Sequence, residues 1–324
     1  MCTAVTYRGD GLYFGRTLDL EYCYQESVCV APRNYPFRLR DAEPMLRHHA
    51  IIGMAYVVDG YPLFYDGVNE KGLCIAGLNF PVSTRYFSPA PGWDNIAPYE
   101  LIPWILGRCA DVAQARELLG RIRLTDVSFR KDLPLTPLHW LIADAEGCIA
   151  VEGMEDGLRV YENPVGVLTN EPSFPVQMFY LSNYMGVSHL PPENCVCPDA
   201  ELPVYSRGMG GMGLPGDWSS QSRFVRAAFT RSYTLQGKSE RESVAQFFHI
   251  LSTVEQPEGC VELEDGRHVK SVYTSCCNAR KGIYYYKTYE GSCMIGVDMH
   301  REDLEGNRVV SYPLRRDQNI PMEN

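Results

Sequence analysis

The chain has 324 residues, 45% of them hydrophobic and 22% charged, a globular balance that fits one large domain or two small ones. Its 30 Lys and Arg against 40 Asp and Glu leave a formal charge of −10, and no stretch clusters basic residues into a nucleic-acid footprint. The longest apolar runs, such as HHAIIGMAYVV, fall short of the ~18 residues of a membrane span, and residues 1–30 lack a secretory signal, so a cytoplasmic protein with no membrane anchor is expected.

At the N-terminus, CTAVTY, RGDG and LYFGRTLDL predict a β-hairpin closed by a Gly/Asp turn. Such pairing pins an end that otherwise frays. Strand-like runs follow in ESVCVAP, AIIGMAYVV, PLFYDGVN and GLCIAGLNF, the last two joined by a turn at Lys71-Gly72. From Pro98 the apolar spacing becomes helical. PYELIPWILGRCADVAQARELLGRI predicts two helices, the second capped by Asp111, with Pro103 tolerated near the start of the first. Strands return in LHWLIADAEGCIAVEG, LRVYEN and VGVLTN, and FPVQMFYLSNYM predicts a further helix. Residues 186–217 are dense in Pro and Gly without any period, the signature of a functional or interfacial excursion. Two more helices are predicted, in DWSSQSRFVRAAFTRSY from Asp217 or Ser219, and in ERESVAQFFHILSTV. VKSVYTSCC, GIYYYKTYE, CMIGVDM and RVVSYPL close the chain as strands. Strands, helices, strands, helices, strands, with little βαβ alternation, predict an α+β fold of largely antiparallel sheets between helices, in a single domain over 1–324.

Twelve cysteines need an account. Without an export signal a disulfide framework is not expected. Cys195/Cys197 and Cys276/Cys277 lack the spacing of paired zinc ligands, and His48 and His49 are adjacent rather than four apart, so no metal site is expected. Most of the sulfurs read as small buried hydrophobes. Cys2 is different, because loss of Met1 makes it residue one. Its own α-amine, with an ordinary pKa of about 7.7–8.0 against about 8.5 for the thiol, is then matched to exchange a proton with the sulfur near neutrality. Arg16 in FGRTLD is a cation able to lower the thiol pKa. Asp19 falls on the opposite face of a regular strand, so a bend or the strand end is needed there for both to reach Cys2. Taken singly, each residue has a plainer reading. Cys2 is an incidental second residue, Arg16 and Asp19 a surface ion pair, Asn170 in LTNEP a turn residue, and Arg223 a solvated helix position.

Taken in order, MCT, FGRTLD, NEKGLCIAGLNFP, LHWLIAD, VGVLTNEPSF, GLPGDWSSQSRFVRA and GIYYYKTYE resemble the choloylglycine hydrolase family from Met1 to about residue 312. These are the conjugated bile acid hydrolases of gut bacteria, relatives of the penicillin V acylases. The resemblance implies an N-terminal nucleophile hydrolase, a four-layer αββα sandwich. It implies Cys2 as nucleophile with its α-amine as base, Arg16 beside the thiol, and Asp19 holding the amine. Asn170 (side chain) and Asn79 (backbone N–H) are implied as oxyanion donors, and Arg223 as support for the nucleophile and the charge near it. No cofactor is implied. The implied substrates are glycine or taurine amides of bile acids, cleaved through a thioester. A related prediction is that amines in place of water intercept that thioester to give re-conjugated bile acids. Asn79 stands where penicillin V acylases typically carry tyrosine, which favours the bile acid branch. An apolar sterol pocket is expected near Leu18, Val58, Tyr65 and residues 127–135, although Tyr65 is bulkier than the small residue expected of close bile acid hydrolases. Residues 186–217 resemble the family's assembly loop, implying a homotetramer. The alternatives are a penicillin V or N-acyl homoserine lactone acylase with the same nucleophile, a bile-binding module without chemistry, and a thiol redox or metal protein.

Overall fold

The computed structural model describes all of residues 1–324. The N-terminal half runs β1 (Cys2–Arg8), β2 (Leu12–Leu20), β3 (Ser27–Ala31), β4 (Ile51–Val58), β5 (Tyr61–Asn69), β6 (Cys74–Asn79) and β7 (Asp94–Ile96). The helices α1 (Leu101–Arg108) and α2 (Val112–Leu119) follow, then β8 (Ile122–Leu124), β9 (Leu138–Ala143), β10 (Cys148–Met154), β11 (Gly157–Glu162) and β12 (Val167–Leu168). The C-terminal half carries α3 (Phe174–Leu181), α4 (Ser220–Tyr233), α5 (Glu240–Ser252), β13 (Lys270–Asn278), β14 (Ile283–Thr288), β15 (Ile295–Asp298) and β16 (Val310–Pro313).

Two antiparallel sheets face each other, one in the order β12-β1-β2-β13-β14-β15 and the other β11-β10-β9-β6-β5-β4-β3-β16. Ala4, Phe14 and Leu18 from the first sheet join Ile52, Met54, Val68, Ala76 and Leu141 from the second in one apolar core. Phe224 and Ala227 of α4, with Phe247 and Leu251 of α5, cover the outer face of the first sheet. Leu101, Trp104 and Ile105 of α1, with Ala115 and Leu118 of α2, cover the outer face of the second through Ile51, Ile75, Ile142 and Val151. The result is the expected αββα sandwich. Strands with both faces covered read as almost unbroken apolar runs, as AIIGMAYVV does.

The predicted caps hold. Asp111 accepts from Gln114 N–H at the start of α2, and Ser219, rather than Asp217, caps α4. The Lys71-Gly72 turn is present, with Gly72 at φ +93°, a conformation that favours glycine. The structure adds a parallel pair, β7 with β8, that the sequence reading lacks. It also corrects the reading of the cysteines. All twelve are free, but only six are buried, while Cys23, Cys195, Cys197, Cys260 and Cys293 are exposed because they sit outside the sheets. No helix is long and apolar enough to cross a membrane.

Candidate active site

Strand β1 lies between β2 and β12, with Cys2 opposite Leu18 and Ala4 opposite Arg16. Side chains alternate across a strand, so Cys2, Arg16 and Leu18 share the face that looks toward the second sheet. Cys2 is only 2% exposed. Met1 extends the ladder by one residue. Its amine donates to the Asp19 carbonyl, and its own carbonyl accepts from the Asp19 N–H at 2.9 Å. With Met1 attached the Cys2 nitrogen is a peptide N–H, and it donates to Asn170 Oδ1 at 2.9 Å.

Arg223 reaches the same point from the first turn of α4. Its Nη1 donates to the Cys2 carbonyl at 2.5 Å and to Thr3 Oγ1 at 2.7 Å, and its Nη2 donates to Asn170 Oδ1 at 2.7 Å. Burial pushes the Arg223 pKa below its ordinary value, and the charges of Asp19 and Cys2 oppose that shift. Arg16 Nε donates to the Thr17 carbonyl at 3.1 Å, and Nη1 to the carbonyls of Tyr65, at 3.3 Å, and Gly77. Its Nη2 is buried without a hydrogen-bond partner. Burial disfavours this guanidinium too, but Cys2, Tyr273, Asp66 and Asp19 outweigh it and raise the pKa above its ordinary value.

Asp19 keeps to the opposite face. Strand β2 ends one residue beyond it, at Leu20. Its carboxylate accepts from Ser271 Oγ at 2.6 Å, Thr17 Oγ1 at 3.1 Å and Gln256 Nε2 at 3.3 Å, and lies 4.0 Å from Arg223 Nη1. The carboxylate therefore joins the site through Arg223, while the Asp19 main chain holds Met1.

Asn79 ends β6 opposite Leu138 of β9. Its carbonyl accepts from Asn170 Nδ2 at 2.8 Å, and the next N–H, of Phe80, donates to Pro137 across the β9 side. Because N–H and C=O of one strand residue point the same way, the Asn79 N–H faces away from β9, toward Asn170. An amide has two N–H hydrogens, so Asn170 keeps one beyond its bond to Asn79. The Asn170 amide, which accepts the Cys2 N–H, thus adjoins the Asn79 main chain. The Asn170 segment is held by groups the sequence reading did not single out. Ser220 Oγ accepts the Asn170 N–H at 2.8 Å, Gln177 Nε2 donates to the Asn170 and Pro172 carbonyls, and Glu171 accepts from Val82 N–H and from Ser83 N–H and Oγ–H. Their only signal was position, since Glu171 lies in VGVLTNEPSF and Ser220 in GLPGDWSSQSRFVRA.

The expected pocket residues divide. Leu18 lies across the ladder from Cys2, and Tyr65 meets Arg16 through its carbonyl, its ring half-buried against the core. Val58 sits at the end of β4, before a turn whose Asp59 pairs with Arg130 of the 127–135 loop at 3.0 Å. A charged cavity of about 810 Å³, lined by Arg33, Arg47, His49 and Glu70 among others, includes none of these residues.

Residues 2–312 match the family described as linear amide C–N hydrolases, choloylglycine hydrolase family. The chain is 48% identical over 315 residues to a bile salt hydrolase/transferase of Lactiplantibacillus plantarum, with 97% of each chain covered. It is 36% identical over 317 residues to a bile salt hydrolase/transferase of Clostridium perfringens, with 96% of each covered. The crystal structure of the mutant C2A conjugated bile acid hydrolase from Clostridium perfringens matches over all of both chains, with a TM-score of 0.92 and 34% identity. A penicillin V acylase from Agrobacterium tumefaciens shares the fold, with a TM-score of 0.75 and 20% identity over 96% of this chain and 90% of that one.

Proposed function

The chain belongs to the choloylglycine hydrolase family of linear amide C–N hydrolases, and on that premise we propose that it cleaves glycine- and taurine-conjugated bile acids through a Cys2 thioester. The observation that carries this reading is the meeting of the Cys2 nitrogen, Asn170 and Arg223 at one buried point.

Loss of Met1 turns the Cys2 peptide nitrogen into an amine beside its own thiol. That amine takes the thiol proton, and the thiolate attacks the amide carbonyl. Arg16, with its unpartnered Nη2 and its own pKa raised by the charge of Cys2, stabilises the thiolate. The free Asn170 Nδ2 hydrogen and the Asn79 N–H receive the oxyanion, donors worth about 2.7–4 kcal/mol each in other hydrolases. Asn170 Oδ1 holds the amine, and Arg223, backed by the Asp19 carboxylate, holds Asn170 and the Cys2 carbonyl in place from the helix side. The ammonium returns its proton to the departing glycine or taurine nitrogen, and water, activated by the same amine, opens the thioester to free bile acid. Another amine in place of water gives a new conjugate, in keeping with the hydrolase/transferase names of the two relatives. Leu18, Val58, Tyr65 and the 127–135 loop form the sterol side of the site.

The same reading takes 1–324 as a single cytoplasmic domain that assembles as a homotetramer through 186–217. That segment carries one short 3₁₀ turn, Met209–Gly211, and exposes Val196, Leu202, Val204 and Tyr205. Acid quench during turnover tests the chemistry. Intact mass is expected to show protein lacking Met1 plus one bile acyl group, absent in Cys2→Ala. No acyl adduct under burst conditions, with product still forming, would contradict covalent catalysis. Adduct and turnover with penicillin V alone would move the protein to the acylase branch.

A further inference from the structure

His139, in the LHWLIAD run, has no part in the chemistry above, yet it is fully buried between the two donor segments. It faces Leu78 in the β6–β9 ladder and stacks flat on Phe80, with ring centroids 4.3 Å apart and planes 4° apart. Phe80 directly follows Asn79. On its other edge, Nε2 lies 3.0 Å from the Thr169 carbonyl, and Thr169 directly precedes Asn170. Nδ1 lies 3.2 Å from Glu152 Oε1, which also accepts the Phe174 N–H at 2.8 Å. One imidazole therefore touches the neighbours of both donors.

A carbonyl only accepts, so Nε2 carries a proton, and one further proton lies between Nδ1 and Glu152. Either placement of that proton fixes the ring at both edges. Burying two ionisable groups is costly compared with an apolar filler of similar size, and a phenyl ring at 139 would fill the space and keep the stack. What a phenyl could not do is hold the Thr169 carbonyl.

We propose that the His139–Glu152 pair positions the oxyanion hole, with the His139 ring setting the spacing between Asn79 and Asn170. The inference rests on the assignment of those two residues as the oxyanion donors. Such donors act when they lie about 2.7–3.1 Å from the developing charge, and a displacement of about 1 Å costs on the order of 10²-fold in rate.

The test compares wild type, Phe80→Leu, His139→Gln and the double variant His139→Leu/Glu152→Gln. For each, kcat and KM on a glycine-conjugated bile salt are measured beside the rate of Cys2 alkylation by iodoacetamide. Alkylation displaces iodide at a saturated carbon and forms no oxyanion, so it reads the thiolate alone. Phe80→Leu and the double variant are expected to lose about 10–100-fold in kcat, with KM within about twofold and alkylation unchanged, as for an interaction used only in the transition state. His139→Gln, whose amide can still donate to Thr169, is expected to recover part of the loss. Phe80→Leu leaves the hydrogen bonds of His139 and Glu152 in place, so it decides the matter even if the double variant does not fold. Unchanged kcat in Phe80→Leu, or kcat and alkylation falling together, overturns the proposal. Asn170→Ala separates the two readings. If it keeps full kcat, the donor assignment fails and this inference with it; if it is inactive while Phe80→Leu matches wild type, the His139 inference alone fails.

Discussion

At the second position, one nitrogen changes role with one cleavage. With Met1 attached it is a peptide N–H held by Asn170, and Met1 itself is zipped against Asp19. A peptide nitrogen has no basic lone pair, so protein that keeps Met1 is expected to be folded and inactive. Expression under an inhibitor of methionine aminopeptidase, followed by intact mass and turnover, checks this; activity in a fraction whose mass retains Met1 would refute the amine as base. On the proposed role of Asn170 as an oxyanion donor, Asn170→Ala is expected to cut kcat by about 10²–10³ with little change in KM. A change confined to KM would assign Asn170 to binding instead.

The hairpin that carries these residues depends on close strand approach. A Cβ on Gly15 would lie 2.0 Å from the Ser275 carbonyl oxygen on β13, a backbone atom that cannot swing aside. Gly15→Ala is therefore expected to push β2 from β13 and destabilise by about 1–3 kcal/mol, read as a lower denaturant midpoint. A wild-type midpoint would mean the sheet relaxes freely. Glu70 ties the β5–β6 turn to Arg33 and to the Ala50 N–H. Burial raises its pKa, but those partners outweigh burial and hold it at about 2, against 4.5 unperturbed. The stability it contributes is full above about pH 4.5 and fades as pH falls toward about 2. Denaturation of Glu70→Gln over a pH series should show a deficit at neutrality that closes across that window; a deficit independent of pH would contradict the ion pair as its source. Much at this scale was legible in the sequence. CTAVTY, RGDG and LYFGRTLDL state their own pairing, because turn and strands are adjacent. The further partners of the hairpin, β12 and β13, lie far along the chain, and local pattern carries no address for them. Strands β7 and β8 have three residues each, too few to show a period. His139 and Glu152 read as ordinary members of buried strands, since nothing local says that two polar groups will meet inside. Asp19 was placed on the correct face by alternation, but its link through Arg223 needs α4, two hundred residues on.

For the whole molecule, the 186–217 segment is the part least explained by the fold of one chain. Its exposed Val196 and Tyr205 fit burial between copies. Light scattering is expected to give the mass of four chains, and Val196→Asp with Tyr205→Asp to give smaller species with the hairpin site intact. A monomeric wild type would refute assembly through this face. Cys2-dependent cleavage of conjugated bile salts is read most directly by the free glycine and taurine released from glyco- and tauro-conjugates. The protein used must be shown by mass to lack Met1, with Cys2→Ala beside it. Release of both amino acids is expected from the wild type and none from Cys2→Ala. No release by the wild type, or equal release by Cys2→Ala, would contradict Cys2-dependent cleavage.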